Sequence, residues 1–258
     1  MKDILIVGAS SGIGACAAKA LAQAGHRVHI ADIKVPVSGG TYIHLDISDT
    51  PGFKEAIASF HKNKQSFDAL VITAAMHSAY PSEYMPDELV ERVMRVNLIG
   101  HMKFVRDMIP LMKNDSRIIA VSSIAAGIGI PMESLYSASK AGLELFYESL
   151  SVEIAYRGIH CCIIAPGNVN TGFNEMNNDY VCRGQKAVDG PYEQILKRID
   201  SRLGMPPEEV ARVIIKAIQS PKPRFSYVVG QNALKAHWAK RLLGRDLALS
   251  VMKKFFGI

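Results

Sequence analysis

This 258-residue chain has no uninterrupted apolar run of the length a membrane-spanning helix needs, about 18 residues or more, so no spanning segment is expected. Cysteine is scarce, and its 4 copies show neither metal-ligand spacing nor a disulfide pattern. Cys161 and Cys162 are adjacent in an apolar stretch and read as buried core thiols rather than a redox pair. Internal repeats, low-complexity tracts and linkers are absent, which argues for a single domain over residues 1–258. The amino terminus already reads as a strand, so no signal peptide is expected, and a cytoplasmic location is the default. Acidic residues are outnumbered, leaving a net charge of +6. Most of that excess falls near the carboxyl end, where Lys235, Lys240, Arg241, Arg245, Lys253 and Lys254 face one acid, Asp246. The body is near neutral, and without a recognisable module the charge does not point to nucleic acid.

What is present begins at the amino end. An apolar run, Ile4 to Val7, leads into Gly8, Ala9, Ser10, Ser11, Gly12, Ile13 and Gly14, and then into a helical pattern reaching Ala24. This is a buried strand, a glycine-rich turn and a helix start. Such a turn lets backbone approach a pyrophosphate, and the helix amino terminus offers it N–H groups and a favourable dipole. The next apolar run, Val28 to Ala31, ends in Asp32. A carboxylate there can accept hydrogen bonds from an adenosine ribose.

Further along stand Ser123, Tyr136 and Lys140. Positions four apart share one helix face, so Tyr136 and Lys140 can point into one cleft. A phenol has a reference pKa of about 10. A neighbouring ammonium favours the phenolate, so the pair is expected to exchange a proton near neutrality. A serine from a nearby strand end would hold the substrate oxygen beside the phenol.

Strands are predicted near 3–8, 27–32, 41–45, 68–73, 116–122, 159–165 and 224–229, and helices near 12–24, 52–62, 87–113, 134–157, 206–219 and 232–256. Alternation at this spacing predicts an α/β fold, a doubly wound parallel sheet with helices on both faces. Ligand then belongs at the carboxyl ends of the strands, where Gly14, Asp32, Ser123 and Pro166 all fall.

Together these motifs resemble the short-chain dehydrogenase/reductase family over roughly residues 1–230. The resemblance implies a Rossmann-like fold, a nicotinamide dinucleotide and hydride exchange between a secondary alcohol and a ketone. It implies a catalytic tetrad of Asn97, Ser123, Tyr136 and Lys140. In that reading Tyr136 is the general acid/base, Lys140 lowers its pKa and holds the nicotinamide ribose, and Ser123 orients the oxygen. Asn97 holds a relay water or is merely a solvated helix residue. The cofactor wall would comprise Gly8, Ser10, Ser11, Gly12, Ile13, Gly14, Asp32, Asp46, Ile47, Ala74 and Ala75. Tyr136, Lys140, Pro166, Gly167, Val169 and Thr171 would complete it. Asp46 has a local helix-cap alternative, and Thr171 a loop-capping one. NAD is expected over NADP: Asp32 would repel a 2′-phosphate, and Ser11 and Ile33 stand where NADP-binding relatives often carry basic residues. Lys34 is the counter-argument. No metal is expected.

Two departures from the family's pattern are expected to matter. A loop with Pro36, Gly39 and Gly40 takes the place of a helix between Asp32 and Asp46. Val7 and the run Ile72-Thr73-Ala74-Ala75 replace polar residues usual in the family, so a hydrogen bond there is expected to give way to packing. Ala74 and Ala75 remain small enough for a ribose to approach.

The substrate is less legible. Met76, His77, Ile124, Ile128 and Ile130 flank the cleft, and a variable lid over about 170–205 holds Phe173, Met176, Tyr180 and Tyr192. An apolar wall suggests a lipophilic alcohol or ketone. Residues 232–258 read as a basic amphipathic helix with Trp238, Leu242, Leu249, Phe255 and Phe256 among its charges. Packing on its own subunit or across a dimer is preferred to membrane-surface contact. The resemblance further implies a homodimer or homotetramer through the helices near 87–113 and 134–157. A dinucleotide sensor without turnover, a dehydratase or epimerase and an NADP(H)-dependent ketoreductase are the alternatives.

Overall fold

The computed structural model describes residues 1–36, 39–171, 190–200 and 204–257. Their chain order is β1 (Asp3–Val7), α1 (Gly12–Gln23), β2 (Arg27–Asp32), β3 (Thr41–His44), α2 (Thr50–Lys62), β4 (Phe67–Ile72), α3 (Asp87–Met94) and α4 (Gly100–Met108). Then follow β5 (Met112–Val121), α5 (Ser134–Glu153), β6 (His160–Pro166), α6 (Pro191–Asp200), α7 (Pro207–Gln219), β7 (Ser226–Val229) and α8 (Gln231–Phe256). The seven strands form one parallel sheet in the order β3-β2-β1-β4-β5-β6-β7. The order reverses between β1 and β4, and a crevice opens at such a switch point.

Alternation along each strand feeds both faces. Leu5 and Val7 of β1 join Phe53, Phe104 and Tyr147 in a core beneath α2, α4 and α5. Ile4 and Ile6 point the other way, into a core shared with α1 and α7 through Ala17, Leu21, Val210 and Ile214. Side chains of a strand buried on both faces read as a continuous apolar run, which is why β1 was visible as one. Cys161 and Cys162 are buried free thiols on β6, and burial pushes both up to about 12. The core-thiol reading stands.

The helix expected over 87–113 is not continuous. A π-helical turn, Arg95–Ile99, separates α3 from α4, and a 3₁₀ turn at Ile109–Leu111 leads directly into β5. Pro110 has no N–H to continue a helix, and β5 therefore starts earlier than the expected residue 116. The π turn inserts extra backbone and turns Asn97 inward, fully buried rather than solvated. The expected helix over 134–157 likewise stops at Glu153, and Gly158 adopts φ +67° after a final 3₁₀ turn. The carboxyl-terminal helix is broken too. Gly244, at φ +73° and ψ 171°, kinks α8 into two pieces.

Between β2 and β3, no helix forms among the described residues, as the short spacing predicted. The anticipated loss of a polar tie near Val7 is corrected. The Thr73 hydroxyl donates to the Gly8 carbonyl at 2.7 Å and lies 3.1 Å from the Val7 carbonyl. The backbone at the end of β1 keeps a donor because buried carbonyls need one. Thr73→Val should cost about 1–2 kcal/mol of stability, read as a lower urea midpoint. An unchanged midpoint would contradict this role.

Candidate active site

A cavity of about 610 Å³ runs along the carboxyl ends of the strands. Every residue expected to touch the cofactor lies on its wall, and so do Ser123, Tyr136 and Lys140. Asn97 does not.

The glycine turn forms one end. Gly8 takes φ +86°, a conformation that L side chains rarely adopt, and the Ala74 backbone lies where its side chain would start. Gly14 serves packing instead. A Cβ there would lie 2.5 Å from the Gly8 carbonyl oxygen and 2.6 Å from the Thr73 hydroxyl. Ser11 is the N-cap of α1, and its side chain makes no capping bond. The first N–H groups of α1 therefore face the cavity end without a side-chain lid, which suits an anionic group. The cradle fits a dinucleotide: backbone lines the phosphate end, and a carboxylate stands at the ribose end. That carboxylate, Asp32, is 8% exposed and accepts the Ser10 N–H at 2.8 Å and the Lys34 N–H at 3.0 Å. Asp46 accepts both the N–H and the hydroxyl of Ser48, at 2.8 and 2.7 Å. It thus braces the turn before α2 while it and Ile47 line the cavity.

Pro166, Gly167, Val169 and Thr171 follow β6 along the opposite wall. The Gly167 N–H donates to the Val229 carbonyl at 3.0 Å. Val169 pairs with Met205 in an isolated parallel bridge, with Asn170 N–H to Met205 carbonyl at 2.9 Å and Met205 N–H to Asn168 carbonyl at 2.8 Å. Within the expected lid, α6 contributes Tyr192, whose hydroxyl donates to Glu83 at 2.5 Å. Phe173, Met176 and Tyr180 lie outside the described residues.

The end expected to be catalytic sits on α5. Tyr136 and Lys140 occupy successive turns, and the ammonium is 5.8 Å from the phenol ring centre. Their electrostatics differ from the expectation. Burial pushes the Tyr136 phenol well up, the nearby Glu133 carboxylate adds to that, and a hydrogen bond from Ser123 opposes it. Burial also brings the Lys140 ammonium down to about 8, against support from Glu144. Lys140 spends a hydrogen bond on the Val121 carbonyl at 2.9 Å. The expectation of a depressed phenol is therefore corrected for this state, because desolvation of the phenolate and the Glu133 carboxylate together outweigh the Ser123 hydrogen bond. The phenol is held as a neutral donor. The Ser123 hydroxyl accepts the Ala125 N–H at 3.1 Å, which fixes the serine at the end of β5.

Asn97 acts one layer back. Its side chain accepts the Met76 N–H at 2.7 Å and donates to the Met76 carbonyl at 2.8 Å and to Ser139 at 3.0 Å. Ser139 in turn donates to the Tyr136 carbonyl at 2.8 Å. Asn97 thus ties the segment after β4 to the turn of α5 that carries Tyr136.

Two groups escaped the sequence reading. His101 is fully buried on α4, with Nε2 3.1 Å from the Ala74 carbonyl. Burial, then the Lys140 charge, takes its pKa from 6.5 down to about 3. Below pH 6.5 the unfolded chain gains a proton that the folded chain refuses until about pH 3. Stability should fall through that window, by up to roughly 1.4 kcal/mol per pH unit. His101→Gln should flatten this dependence in urea titrations between pH 7 and 4; an unaltered slope would assign the acid sensitivity elsewhere. Glu133 is the other missed group, 4% exposed on the cavity wall. Neither belongs to a spaced motif, so only packing reveals them.

Comparison with known proteins agrees with this geometry. The family model described as short chain dehydrogenase matches residues 2–180. A 3-ketodihydrosphingosine reductase of Bacteroides thetaiotaomicron is 30% identical over 88% of this chain and 87% of its own. Human 17-beta-hydroxysteroid dehydrogenase type 1 is 28% identical over 90% and 78% respectively. The crystal structure of a short chain dehydrogenase from Burkholderia cenocepacia in complex with NADP superposes with a TM-score of 0.78 at 18% identity, over 99% of this chain and 97% of that one.

Proposed function

The chain belongs to the short-chain dehydrogenase family, and we propose that it is an NAD(H)-dependent oxidoreductase interconverting a hydrophobic secondary alcohol and its ketone. The observation that carries this is the Ser123–Tyr136–Lys140 group at one end of a dinucleotide-sized cleft. A bound nicotinamide dinucleotide supplies or accepts the hydride. The chain's own residues do the rest. Gly8, Gly12 and the amino end of α1 receive the diphosphate, Asp32 the ribose and Thr171 the carboxamide. Ser123 and the Tyr136 hydroxyl grip the substrate oxygen, and Tyr136 gives it a proton in reduction or takes one in oxidation. Lys140 stabilises the phenolate left behind. Asn97 positions rather than touches: its bonds to Met76 and Ser139 hold the phenol's turn in register.

The hydrophobic character of the substrate rests on what surrounds the phenol. Met76, Ile130, Leu135, Ile195, Ile199 and Phe256 form one buried cluster with Tyr136. Phe256 also supports packing of the tail on its own subunit, since it is 3% exposed despite ending α8. Among the described residues, no helix is long and apolar enough to cross a membrane. Trp238 and Leu242 belong to α8, with side chains outside those described. For the assembly we favour a homo-oligomer through α5, on which Leu145 and Val152 are 65% and 76% exposed.

NADP is the second reading. It is favoured by Lys34 on the cavity wall and by the NADP held in the Burkholderia structure. The deciding test is loss of cofactor absorbance with long-chain ketones and oxosteroids, with NADH and NADPH run in parallel. Ketone-dependent oxidation of NADH supports the proposal. Tight NADH binding with no turnover across the panel would favour a sensor.

A further inference from the structure

His101 is a buried titratable group that the proposed mechanism leaves without a task. It stands in the first turn of α4, just past the π turn, and is fully buried. Its Nε2 lies 3.1 Å from the Ala74 carbonyl oxygen. A carbonyl only accepts, so this nitrogen carries the ring N–H and donates, and Nδ1 is left with a lone pair. Among the described residues, nothing hydrogen-bonds to that buried Nδ1. A buried acceptor without a partner is costly, and an aliphatic side chain of similar size would avoid the cost. The imidazole is therefore accounted for by the bond at Nε2 and by what that bond holds. The Ala74 N–H donates to the Val7 carbonyl at 3.2 Å, and the Ala74 backbone packs against Gly8 of the glycine turn. Two residues on, Met76 is held at both its N–H and its carbonyl by Asn97. Asn97 and His101 are four residues apart, across the end of the π turn, and their side chains reach opposite ends of one stretch, residues 74–76. All three residues of that stretch line the cleft.

We propose that His101 is a positioning residue for dinucleotide binding: with Asn97 it forms a two-point clamp that fixes residues 74–76 as a wall against which the cofactor packs. The proposal rests on the dinucleotide reading of the cleft given above and adds a residue to it. His101 touches no ligand; it acts through Ala74 and Ala75. A loose stretch of chain has to be ordered each time a ligand binds against it, and a wall already fixed by the protein avoids that loss. The donor that fixes it also has to be uncharged. Lys140 lies close enough for its charge to bear on the imidazole, and burial together with that charge holds His101 neutral. A cationic donor in its place would set a second positive charge beside the group that steadies the phenolate, and like charges there would oppose each other. A neutral imidazole N–H holds the wall and leaves the Lys140 ammonium unopposed.

The test measures dinucleotide binding by isothermal titration calorimetry, on the full-length protein, with whichever of NADH and NADPH the wild type binds more tightly. His101→Gln keeps an N–H near the place of Nε2, His101→Leu keeps the bulk without a donor, and the shorter amide of His101→Asn falls short of the Ala74 carbonyl. Binding should weaken about 5- to 10-fold in His101→Leu and His101→Asn, the worth of one neutral hydrogen bond, and stay within about twofold in His101→Gln. In ketone reduction the KM for the cofactor should rise by the same factor, while kcat at saturating cofactor stays within about threefold. An imidazole with only a structural role would lower the melting temperature of these variants and leave the Kd of the folded protein unmoved, and that result would overturn the proposal. So would His101→Gln binding as weakly as His101→Leu. If His101→Leu does not fold, the contrast between His101→Gln and His101→Asn decides. A wild type that binds neither dinucleotide would sink the dinucleotide reading itself, and this proposal with it.

Discussion

Tyr136→Phe should lower kcat for ketone reduction on the order of a thousandfold, with a change of only a few degrees in melting temperature. In the proposed mechanism the phenol both touches the substrate oxygen and lends it a proton, and such a group contributes about 10²- to 10⁴-fold. The ring itself is kept. It continues to pack on His77 and within the buried cluster around Met76 and Leu135, so the fold has little reason to loosen. The pH profile should carry a second signature. Burial holds the phenol protonated well above neutrality, while the Lys140 ammonium lies near 8. In the free enzyme the site is therefore in its donating state below about pH 8 and loses the supporting charge above it. The kcat/KM for reduction should fall as pH rises through that value. Retention of a tenth or more of the activity by Tyr136→Phe would mean that another group moves the proton.

Asp32→Ser should shift the ratio of kcat/KM for NADH over NADPH by about 10- to 100-fold towards NADPH. The carboxylate is nine-tenths buried at the end of β2 and fixed by two backbone N–H groups, so it cannot easily turn aside. A 2′-phosphate placed beside it would meet like charge in a partly desolvated site, which costs several kcal/mol. Serine keeps a hydrogen-bonding oxygen for the Ser10 and Lys34 amides and removes the charge. With Lys34 on the same wall, the variant would present net attraction where the wild type presents repulsion. A wild type that already prefers NADPH would reverse the assignment.

The sheet and the cofactor end were readable because both are written in local patterns. Apolar runs of strand length, glycines that permit close approach and a carboxylate after β2 each have a sequence spacing set by backbone geometry. Tyr136 and Lys140 were legible for the same reason, since helix periodicity puts them on one face. Features set by tertiary packing were hidden. The π turn that buries Asn97 leaves no mark in an amphipathic pattern, and Pro110 was the available warning that the helix could not reach 113. The direction of the Tyr136 shift depended on desolvation and on Glu133, which stands three residues before it but in no motif that pairs the two. Thr73 looked like a substitution by a mostly apolar run, and only coordinates reveal its hydroxyl over the Gly8 carbonyl.

The single bridge between Val169 and Met205 has an evolutionary reading. Two points far apart in sequence are clamped at the spacing of neighbouring strands, about 4.8 Å. The entry and exit of the stretch from 170 to 204 are thereby fixed by backbone–backbone hydrogen bonds, which do not depend on which side chains stand there. Side chains between those two points can consequently change without undoing the clamp that holds Val169 on the cavity wall. Selection for a new substrate can act there while the chemistry on α5 is inherited unchanged.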